Sequence, residues 1–308
     1  EANLGAGEPF PQKEDVSAIA RAASDHYSAH QRRLLHVFTL GMDVKGPPPS
    51  VGMPPPDIEV VAVSMSLRGS RQVAACFARS ILSVKTFVAG PMAAGLAVTD
   101  ALQRVGGVLV VDMGAQSTGF ALFQQGSPVL IGVEPVGGQH ITEDIARTFA
   151  LKSFEAERLK TRFGSVFDGL QADVFLPAVN SETRESISKL SLNHVIRLRV
   201  TSIVRAVNER LKGAGYAVPQ GGVVLTGGGS LLPGVAELTA QLLASEAKIV
   251  KPMALNGLEG SNGLSALIGA CLFASRHQPG GETYRVSPLE SRESSYASRI
   301  GQWLRASF

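Results

Sequence analysis

The sequence predicts an α/β protein in which two lobes face a shared cleft, and three observations predict it. Short apolar stretches end in glycine clusters that open helices, at residues 135–140 and again at 224–234. A strand–turn–strand element around Asp112 and Gly114 adds a third small-residue turn. Bare-backbone turns that follow buried strands in separate halves of a chain are the layout of a two-lobed ligand cleft.

Bulk properties agree with that class. A chain of 308 residues, 44% hydrophobic and 18% charged, can bury one large or two medium cores. Its net charge of +3 and pI near 9.0 are too small and too evenly spread to argue for nucleic acid. No apolar run is long enough to cross a bilayer, and no secretory signal is visible. Cys76 and Cys271 sit in Ala-rich apolar segments without metal-ligand spacing, which predicts buried free thiols and a reducing cytoplasm.

In chain order, a helical pattern at Val16, Ile19, Ala23 and Tyr27 precedes a buried strand over 34–40. Six prolines within 45–56 exclude regular structure there. A second strand over 58–66, a helix over 70–81 and a third strand over 84–88 complete a small α+β unit. One helix is expected over 93–104, then strands over 107–112, 119–124 and 129–136. Ile141, Ile145 and Phe149, spaced by four, give the next helix its apolar face. Ile196, Val200, Ile203, Val204, Val207 and Leu211 give a long one, stopped by Gly213 and Gly215. A short strand over 223–225, helices over 231–243 and 263–274, and a polar linker lead to a separate final element at 296–308.

Chemistry is concentrated in four places. In 110–122 an apolar strand delivers Asp112 to a turn of Gly114, Ala115, Gln116, Ser117 and Thr118. Backbone N–H groups and hydroxyls there suit an anion, whereas the carboxylate suits Mg²⁺ held through water; a plain hairpin with a polar turn is the alternative. Gly227, Gly228 and Gly229 follow a buried strand and let a ligand press on bare backbone, unless they form a flexible connector. Gly137 and Gly138 repeat that pattern, with His140 as an exposed or capping residue. Glu157 and Lys160, three apart, share a helix face, which a bare ion pair also explains.

The order of these motifs resembles the actin-like ATPase superfamily, and within it the FtsA-type cell-division proteins. The nearest stretches are "VDMGAQSTGFALF", "PVGGQHITEDIA" and "EAERLKTRFG", and the likeness runs from "EDVSAIARAA" and "LLHVF" to the end. The resemblance implies an actin-like (ribonuclease-H-like) fold. Residues 1–34 and 86–136 would form part of a first lobe, 35–85 a small FtsA-type subdomain, and 137–275 a second lobe with 151–205 as its outer part. It also implies ATP and Mg²⁺ as ligands, with Asp112–Leu122 as a second phosphate loop and Thr226–Gly229 as an adenosine loop. Glu157 and Lys160 would approach ribose and base, and 87–96 and 263–274 would be small-residue connecting helices.

The implied partners are the C-terminal peptide of the tubulin-like ring protein FtsZ, other division proteins and further copies in a polymer. Arg199 matches a basic residue at the peptide site. Residues 276–295 read as a linker. Tyr296, Ile300, Trp303, Leu304 and Phe308 cover one face of a final helix flanked by Arg305, a pattern suited to an anionic membrane surface. The implied place is the cytoplasmic face of the cell membrane at the septum. A single short helix binds marginally, so polymerisation and attachment would be coupled by avidity.

Three departures modify the expectation. The family's first phosphate hairpin has no counterpart after Glu1, so the sequence reads as partial. Ala115 and Gln116 stand where the family has glycine; a positive φ at Gln116 would cost about 1 kcal/mol. Pro91 replaces a polar residue that positions attacking water, which predicts at most weak hydrolysis. The competing readings are a pilus-assembly-type adaptor and a sugar or acetate-type kinase with the same core.

Overall fold

The computed structural model describes residues 13–40, 59–167, 175–176, 187–253 and 261–276. The elements are α1 (Lys13–Ala29), β1 (Arg32–Leu40), β2 (Glu59–Ser66), α2 (Leu67–Ala78), α3 (Gly90–Val98), α4 (Ala101–Gly106), β3 (Val108–Met113), β4 (Thr118–Gln124) and β5 (Ser127–Glu134). There follow α5 (Gly138–Thr148), α6 (Ser153–Phe163), β6 (Phe175–Leu176), β7 (Ile187–Ser188), α7 (Lys189–Gly213), β8 (Val223–Thr226), α8 (Val235–Leu243), β9 (Ala247–Ile249) and α9 (Ser265–Arg276).

The central sheet has five strands in the order β5-β4-β3-β8-β9. β4 runs antiparallel to both neighbours, and β3, β8 and β9 pair in parallel. An antiparallel second strand in an otherwise parallel set of this order is the ribonuclease-H-like arrangement that the sequence led us to expect. The same sheet crosses the division expected at 136/137. β3, β4 and β5, assigned above to the first lobe, share one sheet with β8 and β9, so they belong to the same structural unit.

Alternation along β3 builds the two faces. Leu109, Val111 and Met113 point to one core together with Ile141 and Ile145 of α5, Leu159 of α6, Ile196, Val200 and Ile203 of α7, and Val235 of α8. Val108 and Val110 point to the other, with Met92 and Leu96 of α3, Ile268 and Phe273 of α9, and Phe38 of β1. A strand covered on both sides reads as a continuous apolar run rather than an alternating one, as residues 108–111 do.

β1 and β2 form a separate two-stranded antiparallel sheet carrying α2. The strand expected over 84–88 does not form: this stretch lies outside the sheets. The Phe87 ring lies 5.0 Å beneath the Arg33 guanidinium, and just beyond the stretch the Ala89 N–H donates to His36 Nε2 at 3.2 Å. The single helix expected over 93–104 is two. Thr99 is extended, and Asp100 starts a new helix through a capping box in which its carboxylate accepts from Gln103 N at 2.8 Å and Gln103 Oε1 accepts from Asp100 N at 3.0 Å. Cys76 is exposed, against expectation, because α2 buries only Ser70; Cys271 is half-buried, and burial pushes its thiol above the usual range.

The two small-residue helices α3 and α9 cross at backbone contact. A Cβ on Gly269 would lie 1.7 Å from the Ala93 carbonyl oxygen. Gly269→Ala is therefore expected to lower stability in urea unfolding by about 1–3 kcal/mol. Gly213→Ala, where an added Cβ meets nothing within 4 Å, serves as the control and should leave the midpoint nearly unchanged.

Candidate nucleotide site

Asp112, the last but one residue of β3, lies opposite Gly119 of β4 and opposite Thr226 at the end of β8. Both glycine loops thus leave the sheet at the same edge. Gly227 adopts φ +84°, and a Cβ there would lie 2.4 Å from Asp112 Oδ1 and 2.5 Å from the Met113 carbonyl oxygen. Only glycine supplies both the positive φ and that approach. Its neighbour Gly228 is exposed, with open space where a Cβ would stand. The turns at Asp112 and Gly227 are in direct contact.

The 114–117 turn closes on itself through Gly114 N donating to the Ser117 carbonyl at 3.0 Å. The start of α5 then docks onto it: Gly138 N donates to Gly114 O at 2.9 Å, and Gln139 N donates to Ala115 O at 2.7 Å. A Cβ on Gly137 would meet Gly114 O at 2.5 Å, so the second glycine pair exists for close approach. Thr118 donates its hydroxyl to Val136 O at 2.8 Å and locks the strand entering this pair. His140 Nδ1 accepts from Gly137 N at 3.1 Å, so its ring, in the first turn of α5, reaches back to the backbone N–H of the residue that caps the helix.

Ala115 and Gln116 are exposed and are absent from the residues with positive φ. The strain considered above for Gln116 does not arise. Pro91, in the first turn of α3, packs its ring on Gly119, where a Cβ would lie 2.8 Å from Pro91 Cγ. An apolar ring with no proton acceptor therefore lies beside the strand position paired with Asp112.

Glu157 and Lys160 form the i,i+3 pair at 2.7 Å, but the pair is more than a surface ion bridge. Lys160 is buried, and its ammonium also donates to Gly138 O at 3.0 Å and to Thr142 Oγ1 at 2.8 Å. α6 is thereby pinned to the glycine entrance of α5. Burial would raise the Glu157 pKa; hydrogen bonds from Lys160 and Thr142, with the Lys160 charge, outweigh it and hold the carboxyl below its usual range. Thr142 carries no motif of its own in the sequence. Its position one helical turn after Gly138, on the side facing α6, is the signal that spacing offers.

Behind the Gly227 loop lies a second polar group that the motifs did not include. Ser230 donates to Gly227 O at 2.7 Å, Thr226 Oγ1 and Ser265 Oγ are 2.6 Å apart, and Asn262 Nδ2 reaches Ser230 Oγ at 3.5 Å. These side chains join the loop to the start of α9.

Asp112, Gly114, Gln116, Ser117, Thr118, Gly137, Gly138, Glu157, Lys160, Gly227, Gly228 and Gly229 are thus linked around one sheet edge. Arg199 is elsewhere, on α7, in a bidentate pair with Asp144 of α5 at 2.6 and 3.0 Å. Tyr296, Ile300, Trp303, Leu304, Arg305 and Phe308 lie outside the described residues. Among the described residues no helix is long and apolar enough to cross a membrane, and no group of three His, Cys, Asp or Glu is placed to hold a metal.

A sequence model of the family "Cell division protein FtsA" matches residues 109–269, more than half of the chain and every part of this edge. The chain belongs to the FtsA family. The FtsA of Borreliella burgdorferi is 29% identical over 306 residues, covering 94% of this chain and 74% of the relative. The FtsA of Escherichia coli is 24% identical over 315 residues, covering 96% and 75%. Solved structures agree on the fold. A PilM-PilN type IV pilus biogenesis complex aligns with TM-score 0.63 and 18% identity over 86% of this chain and 74% of that one. MreB 5 of Spiroplasma citri bound to AMPPNP aligns with TM-score 0.53 and 18% identity over 67% and 64%. The fold is actin-like, and the family match favours a cell-division protein over the pilus-assembly and kinase readings.

Burial holds the Asp112 carboxyl above its ordinary pKa. The folded state therefore retains a proton that the unfolded state releases from about pH 4 upward, and this residue costs stability as pH rises through that window. Without nucleotide, Asp112→Asn should melt higher than the parent at neutral pH, with the difference shrinking toward pH 4 in thermal scans.

Proposed function

We propose that this FtsA-family chain binds ATP with Mg²⁺ at the edge where β3 and β8 end, and acts as an actin-like membrane anchor for the division ring. The observation that carries the reading is the contact of the Asp112 turn with Gly227, while Gly137–Gly138 closes the other side. Exposed backbone at Gly228 and the hydroxyl of Ser117 suit phosphates. The residues fit a divalent ion: Asp112 is a desolvated carboxylate beside those groups, and it would hold the ion through water. Bound Mg²⁺ would neutralise phosphate charge. Pro91 offers no group to orient water, so hydrolysis is slow or absent. The nucleotide then serves as a structural ligand that closes one lobe on another, as suits a polymer subunit.

Titration of the 308-residue chain with ATP, with and without Mg²⁺, tests this. Asp112→Asn should weaken Mg²⁺-ATP binding at least tenfold while removing most of the Mg²⁺ dependence. Equal affinity in parent and variant would exclude the assigned role.

Attachment of the FtsZ ring is the second half of the reading, with Arg199 at the peptide surface and residues 296–308 on anionic lipid. Septal location on the cytoplasmic side follows from those two contacts, and recruitment of other division proteins from polymerisation. Deletion of 296–308 should abolish sedimentation with anionic vesicles. Because Arg199 also pairs with Asp144, Arg199→Glu needs a partner control. The swap Asp144→Arg with Arg199→Glu is expected to recover stability but not affinity for the FtsZ C-terminal peptide; recovery of both would assign Arg199 a purely structural role.

A further inference from the structure

We propose that Thr142 is a positioning residue for sugar recognition, holding Glu157 so that one carboxylate oxygen stays free for a ribose hydroxyl; the inference rests on the nucleotide reading above.

Hydrogen-bond capacity carries the argument. An ammonium has three donors, a hydroxyl one donor and two lone pairs, and a carboxylate only acceptors. Lys160 directs its three donors to Gly138 O at 3.0 Å, Thr142 Oγ1 at 2.8 Å and Glu157 Oε2 at 2.7 Å. It has none left for a ligand, so a phosphate gains no donor from this cluster. Thr142, 1% exposed, accepts from Lys160 and has two acceptors in reach for its one proton, Gly138 O at 3.2 Å and the nearer Glu157 Oε2; the proton goes to the nearer, charged oxygen. That oxygen receives both Thr142 and Lys160, while Glu157 Oε1 has no hydrogen bond among the described residues. The Glu157 side chain is 46% exposed against 11% for Lys160. The cluster therefore presents one accessible acceptor, which suits a hydroxyl donor and repels an anion.

Placement makes the acceptor informative. Thr142 lies one turn beyond Gly138, and Gly138 N is bound to Gly114 O of the phosphate-side turn at 2.9 Å. The span from that turn to Glu157 is thus fixed through one helical turn and one buried hydroxyl. Loss of the hydroxyl frees the Glu157 carboxylate to rotate about Lys160, and the free oxygen loses its defined distance from the turn.

The test compares ATP, its 2′-deoxy and 3′-deoxy analogues, and tripolyphosphate, each with Mg²⁺, on the full chain. The parent should prefer ATP over at least one deoxy analogue by on the order of tenfold. Thr142→Val should bring that preference close to unity with tripolyphosphate affinity unchanged, and Thr142→Ser should restore it. Where Thr142→Val fails to fold, Thr142→Ala reads the same ratio. A parent that binds none of the four ligands overturns the nucleotide reading itself. A parent that binds ATP without sugar preference, a valine variant that keeps the preference, or an equal loss for all ligands overturns the role of Thr142 alone.

Discussion

Parallel pairing of β3 with β8, from Leu109 opposite Val223 to Asp112 opposite Thr226, determines where everything else at the site can stand. Parallel strands end at the same edge, so loops far apart in sequence leave the sheet side by side. The pairing holds because both strands are buried on both faces, Val110 and Val224 in one core and Val111 and Leu225 in the other. A one-residue slip would turn every side chain to the opposite face, so register is strongly fixed where both faces are packed differently. It would also separate Asp112 from Gly227.

Glycine is placed here for contact rather than for flexibility. Gly227 lies against Asp112 and Met113, Gly137 against the 114–117 turn, and Gly269 against Ala93 of the crossing helix. Each allows one backbone to rest on another, and the result is a rigid edge with open backbone at Gly228. The three turns are then coupled by polar groups on both sides. Lys160, Thr142 and Glu157 bind α6 to the entrance of α5, and Ser230, Asn262 and Ser265 bind the second loop to α9. A ligand touching either loop therefore acts on helices that pack on opposite faces of the sheet.

Much of this was legible in the sequence because it is local. The apolar run over 108–111, the glycine clusters, and the spacing of Ile196 through Leu211 each announce an element by pattern alone, and the motif order indicated the family. Misreadings fell where a tertiary partner decides. The stretch over 84–88 has strand composition, yet its Phe87 ring lies under Arg33 of a remote strand, and the N–H of Ala89 just beyond it is taken by His36 of the same strand. The helix break at Thr99 is the exception, because it rests on a local capping box between Asp100 and Gln103. Cys76 has apolar neighbours, but no other element covers α2 there.

By itself the sequence determined the strands that flank the Asp112 turn, the glycine turns and the residue types that make an edge suitable for an anion and a cation, because these follow from periodicity and backbone freedom. Only the tertiary structure decided that strands on both sides of the expected lobe boundary share a sheet, since pairing between distant segments leaves no trace in local pattern. It likewise decided that Glu157 and Lys160 are bound through Thr142, and that Arg199 spends its charge on Asp144. Those are contacts between helices, fixed by packing against a common core rather than by any spacing along the chain.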